Sequence, residues 1–161
     1  MSKIKNKKIL NLILLFSVFA LIAAYFIQYV LKHQPCNLCL IERIPYIASI
    51  IIILICIFSK KFEKLFLIIL SLIFFSGTLI AFYHFGIEQG FFKESLVCDL
   101  NNKSSDLSKE ALLNQLKEMP ISCKDVTFTI FGLSLVTFNV LITLVLSVIT
   151  TKLFLTYEKN R

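Results

Sequence analysis

Four stretches of the chain run without Asp, Glu, Lys or Arg: Ile9 to Leu31, Ile44 to Ser59, Leu65 to Ile87 and Val126 to Thr151. A helix rises about 1.5 Å per residue and needs about 20 residues to cross the hydrocarbon core of a bilayer, so the first, third and fourth suffice as they stand. The second is short. It reaches across only if it begins near Leu40, which places Glu42 and Arg43 in its first turns, where a charge is costly unless it is used. The pattern predicts an all-α membrane protein, a four-transmembrane-helix bundle occupying residues 1–161 as a single domain. Its helices fall at about 9–31, 40–59, 65–87 and 126–151, with a short first loop at about 32–39 and a longer second loop at about 88–125.

Composition agrees with that reading: 57% of the 161 residues are hydrophobic and the mean hydropathy is +0.82, so the bilayer is the main solvent. A net charge of +7 could suit nucleic acid, but the placement of the basic residues removes that class of partner. With four spans, the N-terminus, the connection from Lys60 to Lys64 and the C-terminus share one side. That side carries Lys3, Lys5, Lys7, Lys8, Lys60, Lys61, Lys64, Lys152, Lys159 and Arg161. The positive-inside rule makes it cytoplasmic, with both termini there and both loops facing the periplasm or cell exterior. The first span resembles a signal peptide, yet it is too long for one and no A-x-A pattern follows, so it reads as an uncleaved helix.

On this topology Cys36, Cys39, Cys98 and Cys123 all lie on the exoplasmic side, where disulfides form and persist. Cys56 falls mid-span and reads as a small buried hydrophobe. Cys36 and Cys39 stand in PCNLC directly before the second helix, a CxxC spacing that can close a small redox ring. A helix N-terminus near Cys39, the Arg43 guanidinium and access from water would all favour a thiolate there. Arg43 is four residues beyond Cys39, on the same helical face and one turn deeper. An interfacial arginine can simply snorkel to the headgroups, but this one is placed to stand beside a thiolate and to hydrogen-bond a carbonyl or reduced oxyanion of a membrane-soluble acceptor, a quinone being the obvious candidate.

Rival readings of the CxxC are a static bridge or a metal site completed by His33 or His84. The latter lacks a second CxxC or an H-x3-H to make up four ligands. Cys98 and Cys123 belong to the second loop, where Leu107, Leu112, Leu113, Leu116 and Met119 recur at helical spacing and suggest an amphipathic helix on the membrane surface. Four cysteines permit three connectivities. Two pairs at one membrane face suggest a relay by thiol–disulfide exchange, the loop pair meeting a protein and the helix-bound pair meeting the lipid-soluble acceptor.

The segment PCNLCLIER, Pro35 to Arg43, resembles the first periplasmic loop of DsbB-type disulfide bond formation proteins, whose pattern is roughly C-x-L-C-x-x-[QE]-R. FYHFGIEQGFF (Phe82 to Phe92) followed by Cys98, and PISCKDVTFTIFGLS (Pro120 to Ser134), are similar to that family's second loop and the entry to its last helix. The chain departs in having Phe128 where Trp is frequent, in lacking Trp altogether, and in carrying Glu42 where many members have Gln. The resemblance covers nearly the whole chain.

It implies a protein of the bacterial inner membrane, with ubiquinone or menaquinone as acceptor and a DsbA-like periplasmic thioredoxin-fold protein as electron donor. On the resemblance, Cys36 and Cys39 are the quinone-coupled pair with Cys39 nearest the ring, Cys98 forms the mixed disulfide with the donor, and Cys123 is its internal partner. Arg43 binds or polarises the quinone, and His84 lines the same pocket. DsbA is a strong oxidant at about −120 mV, so its reoxidation requires an acceptor of still higher potential. Two alternatives accompany this reading: a vitamin K epoxide reductase-like enzyme, in which the loop pair precedes the CxxC, and a non-catalytic membrane adaptor whose disulfides staple its loops.

Overall fold

The computed structural model describes residues 2–58, 62–93, 98, 122–124, 129–130 and 132–159. Among them are five helices, α1 (Ser2–Tyr29), α2 (Asn37–Ile41), α3 (Ile44–Phe58), α4 (Glu63–Glu88) and α5 (Leu135–Lys159), and a short ladder of β1 (Thr129–Ile130) and β2 (Leu133–Ser134). Four spans are long and apolar enough to cross a membrane: Lys7–Tyr29, Asn37–Phe58, Glu63–Glu88 and Leu135–Tyr157. The all-α four-span bundle expected from the sequence is the fold observed. The amphipathic helix expected around Leu107, Leu112, Leu113, Leu116 and Met119 lies outside the described residues, as does Phe128.

The second span is α2 and α3 in series, broken at Glu42 and Arg43, and Pro45 accounts for the break. Proline has no N–H to offer the carbonyl of Ile41, and its ring crowds that carbonyl, so the regular ladder cannot run through. Instead Arg43 N–H bonds the Leu40 carbonyl at 3.2 Å and the ladder resumes with Ile47 N–H on Arg43 at 3.1 Å. Within α3 itself Pro45 sits in the first turn, where proline is tolerated.

The last helix begins at Leu135 rather than near Val126. Before it, Thr129 pairs with Ser134 and Ile130 with Leu133, across a turn whose Gly132 has φ +81°, a conformation that favours glycine. Ser134 then caps α5: its Oγ accepts the Thr137 N–H at 3.2 Å and donates to Glu88 Oε2 at 2.8 Å, tying the start of α5 to the end of α4.

Helix α1 packs on α3, α3 on α4, and α4 along α5, while α1 and α5 meet only lightly. The main core joins all four spans through Leu10, Ile13, Ile53, Leu67, Phe74 and Leu146. Outward faces stay apolar, as at Phe19, Phe58 and Leu72, which suits lipid. Since lipid tails are as apolar as these side chains, close packing and interhelical hydrogen bonds carry association in a bilayer. Ser49 bonds Ser17 at 3.2 Å between α3 and α1, and Ser71 pairs with Thr151 at 2.8 Å between α4 and α5.

Gly77 lets α4 approach the start of α3 so closely that a Cβ there would stand 3.0 Å from Pro45 Cγ and 3.1 Å from its Cβ. Gly77→Leu is therefore expected to lose about 1–3 kcal/mol of stability, read by unfolding in mixed micelles. Leu79→Ala, on the lipid-facing side of the same helix, should change it little; equal stability of Gly77→Leu and the parent would contradict the packing described.

Candidate active site at the sulfur pairs

The bend after α1 delivers Cys36 to the N-cap of α2, where its Sγ accepts the Cys39 N–H at 3.3 Å. The spacing of two intervening residues across one helical turn brings the sulfurs of Cys36 and Cys39 to 2.7 Å, both as free thiols. Cys98 and Cys123 are joined in a disulfide. All four belong to one small apolar cluster with Leu38, Ile87 and Tyr83, separate from the main core that holds Cys56. The four cysteines singled out in the sequence thus meet at one end of the bundle.

The break at Glu42 and Arg43 sends two neighbouring charges in different directions. Glu42 turns inward: its Oε1 takes His84 Nδ1 at 2.7 Å and its Oε2 accepts from Asn139 Nδ2 at 2.7 Å, and Asn139 Oδ1 in turn accepts from the Tyr46 hydroxyl at 2.6 Å. The other ring nitrogen of His84, Nε2, lies 3.5 Å from Cys36 Sγ. A carboxylate can only accept, so the geometry puts the Nδ1 proton toward Glu42 and turns Nε2 to the thiol. Arg43 turns toward α1, donating from Nη1 to Gln28 Oε1 at 2.6 Å and standing 4.8 Å over the Tyr25 ring.

Between α1 and α5, which touch only lightly, lies a cavity of about 350 Å³. Phe16, Phe19, Ile27 and Phe138 give it apolar walls, and Gln28, Cys39, Glu42, Arg43, Tyr46 and Asn139 supply polar groups at its cysteine end. That composition suits a flat, largely apolar molecule with polar substituents on one ring. Cys39 and Arg43 share the cavity, as their spacing predicted. His84 does not line it. Helix α4 contributes none of its lining residues, and His84 meets the lining at second hand, through Glu42 and, by way of Cys36, through Cys39. His33 is the histidine on the cavity wall.

Cys36, Cys39 and His84 bring three donor atoms within 4.8 Å of one another, one fewer than a closed tetrahedral metal site takes, and Glu42 already holds the histidine's other nitrogen. Their arrangement favours acid–base chemistry at sulfur. The Cys36 thiol is pulled down to about 5, first by its hydrogen bond with Cys39 and then by its hydrogen bond and charge interaction with His84, against the opposing effect of burial.

Sequence reasoning missed Gln28, Tyr25, Tyr46 and Asn139, and treated Glu42 only as an awkward charge. Tyr46 and Asn139 are polar residues in spans where unpaired polar groups are costly, and that cost was the available signal.

The profile of the family described as Disulfide bond formation protein DsbB matches residues 6–153. An uncharacterized protein of Rickettsia prowazekii (strain Madrid E) is 31% identical over 156 residues, 95% of this chain and 90% of that protein.

With the reduced protein, alkylation of Cys36 followed by peptide mass spectrometry should persist below pH 7 and fall away as the pH drops through about 5, where the thiolate takes up its proton. Cys39→Ala removes the largest stabilising contact and should move that midpoint upward. A midpoint near that of an ordinary thiol in the parent would refute the arrangement.

Proposed function

The chain belongs to the DsbB family of disulfide bond formation proteins, and from that premise we propose that it is a protein thiol:quinone oxidoreductase of the bacterial inner membrane that reoxidises a DsbA-like thioredoxin-fold dithiol. The observation that carries this reading is the position of Cys39, which belongs both to the cluster holding the Cys98–Cys123 disulfide and to the wall of the apolar cavity. One side of that sulfur can exchange with protein disulfides and the other can meet a lipid-soluble acceptor.

In this reading the donor's thiolate attacks Cys98, forming a mixed disulfide and releasing Cys123. The donor's second thiol resolves that bond, and the loop pair, now reduced, exchanges with Cys36 and Cys39 once those two, thiols in this structure, have been oxidised to a disulfide by the acceptor in the cavity. A bound ubiquinone or menaquinone supplies an acceptor for two electrons and two protons. The residues present fit such a group: the aromatic walls would hold the ring and the start of its tail, and Arg43, fixed by Gln28 and Tyr25, would hold a ring oxygen and stabilise negative charge gathering there. With both termini cytoplasmic, the sulfur end faces the periplasm, where the donor is folded and abundant oxidant is needed.

Purified protein given a reduced thioredoxin-fold donor and a short-chain quinone should reduce the quinone, seen in its ultraviolet absorbance. Cys123→Ser should accumulate a mixed disulfide through Cys98. No quinone reduction and no trapped donor would sink the proposal.

Arg43→Leu removes a charged hydrogen bond of about 1.5–3 kcal/mol and should raise the KM for quinone roughly 10- to 100-fold with little effect on the mixed disulfide. An unchanged quinone dependence would count against the role given to Arg43.

A further inference from the structure

We propose that Gln28 keeps the positive charge of Arg43 unspent, and that the cavity therefore favours an occupant with an ionised ring oxygen. The inference rests on the thiol:quinone reading above and deepens it, making Gln28 a positioning residue that acts through Arg43.

A charged side chain in a membrane-spanning segment ordinarily pairs with an opposite charge or with backbone carbonyls. Arg43 stands in the second span at its break, and its neighbour in the chain is a carboxylate. Yet Glu42 turns away, with Oε1 on His84 and Oε2 on Asn139, at 2.7 Å each. Among the described residues the ion pair of Glu42 is with His84, and no carboxylate pairs with Arg43.

What holds the guanidinium is uncharged. Gln28 Oε1 accepts from Nη1 at 2.6 Å, and Cζ stands 4.8 Å from the centre of the Tyr25 ring. Both partners come from the last turns of α1, where Tyr25 in turn stacks on Tyr29 with ring centroids 6.1 Å apart. An amide oxygen and an aromatic face orient a cation without cancelling its charge. A guanidinium carries five N–H donors, so the bond to Gln28 leaves others for an occupant of the cavity.

Gln28, Cys39 and Arg43 all line that cavity. A ring oxygen placed beside Arg43 meets a whole positive charge within mostly apolar walls, where charge interactions are stronger than in water. Oxidising a dithiol to a disulfide releases two electrons and two protons, and the electrons make a ring oxygen negative until its proton arrives. A carboxylate at position 28 would engage Arg43 first and leave less for that oxygen. Glutamine has the same length and shape and does not.

The exchange of amide for carboxylate separates two roles. A residue that only tied α1 to the helix break would lose nothing on becoming glutamate, because a carboxylate accepts the same hydrogen bond and makes it stronger. A residue that spares the charge would lose its effect.

The test measures binding to the full-length protein in detergent, with both cysteine pairs oxidised to disulfides so that neither reduces the probe or adds to it. One probe is a naphthoquinone with methyl groups on both free carbons of the quinone ring. The other, phthiocol, has a hydroxyl in place of one of those methyls and is ionised at neutral pH. Equilibrium dialysis gives Kd for each, with micelles alone as the blank. The parent should bind phthiocol at least as tightly as the neutral probe. In Gln28→Glu the Kd for phthiocol should rise about tenfold or more, the scale of a charged hydrogen bond reduced to an ordinary one, while the neutral probe stays within about threefold.

An unmoved Kd for phthiocol, or an equal rise for both probes, overturns the proposal, because Gln28 would then be a tether alone. Where Gln28→Glu does not fold, the parent and Arg43→Leu decide. Weaker binding of phthiocol than of the neutral probe by the parent overturns it. So does an Arg43→Leu protein that keeps the parent's ratio of the two constants, which would assign the preference to His33, the other lining residue able to carry positive charge. Failure of the thiol:quinone reading looks different: the parent, given a reduced donor, would then reduce no quinone, whatever the two probes do.

Discussion

The carboxylate of Glu42 is the constraint around which this end of the bundle is arranged. A charged or hydrogen-bonding group placed in an apolar span must find partners within the protein, because lipid supplies none. Glu42 finds them on two other helices, His84 on α4 and Asn139 on α5, and Asn139 returns the chain to Tyr46 on α3. These bonds fix the relative rotation of three spans at the level of the sulfurs. They depend on the break that Pro45 imposes, since a continuous helix would carry Glu42 and Arg43 through regular positions instead of dividing them between the bundle interior and the α1 side.

That division sorts the chemistry in space. Toward α4 lie Cys36, His84 and the Cys98–Cys123 disulfide; toward α1 and α5 lie Arg43, Gln28 and the apolar cavity. Cys39 belongs to both. The light contact between α1 and α5 belongs to the same arrangement, because a bundle packed equally on every side would leave no room for a cavity beside that sulfur. Stability is drawn instead from the α4 and α5 pairing, the Gly77 approach to Pro45, and the Ser134 cap that ties α5 to Glu88.

Much of this was legible in the sequence. Runs free of charge marked the four spans, and the position of four cysteines around them brought the sulfurs to one end. The i, i+4 relation of Cys39 and Arg43 also held across the helix break, because the turn at residues 42–43 stays tight enough to keep both on the cavity wall. What escaped was whatever depended on the rotation of one helix against another. His84 is three residues from the end of its charge-free run, and nothing local says that it faces the sulfur opposite α1 rather than the cavity. Likewise Asn139 and Glu42 are far apart in the chain, and a single sequence gives no sign that they pair. The late start of α5 was more nearly readable, since Gly132 and Ser134 are a turn residue and a cap in the right order.

On the proposed function, a thiol relay that ends at a lipid-soluble acceptor has to move two kinds of particle with different reach. Electrons travel with the exchange of disulfide bonds, and the packing of both pairs in one cluster is sufficient for that. Protons need acceptors at hydrogen-bond distance at every step, and in a low-dielectric interior those acceptors must be supplied by the chain itself. A sulfur at the cavity wall satisfies both needs at once, whereas its partner one helical turn away meets the second only through its neighbours, the Cys39 sulfur at 2.7 Å and His84 Nε2 at 3.5 Å. The more deeply Cys36 is enclosed to stay close to the loop disulfide, the more it depends on a neighbouring base. Enclosure of Cys36 and the presence of a histidine–carboxylate pair behind it are therefore two aspects of one arrangement, and the helix break at Glu42 is the local feature that makes them compatible.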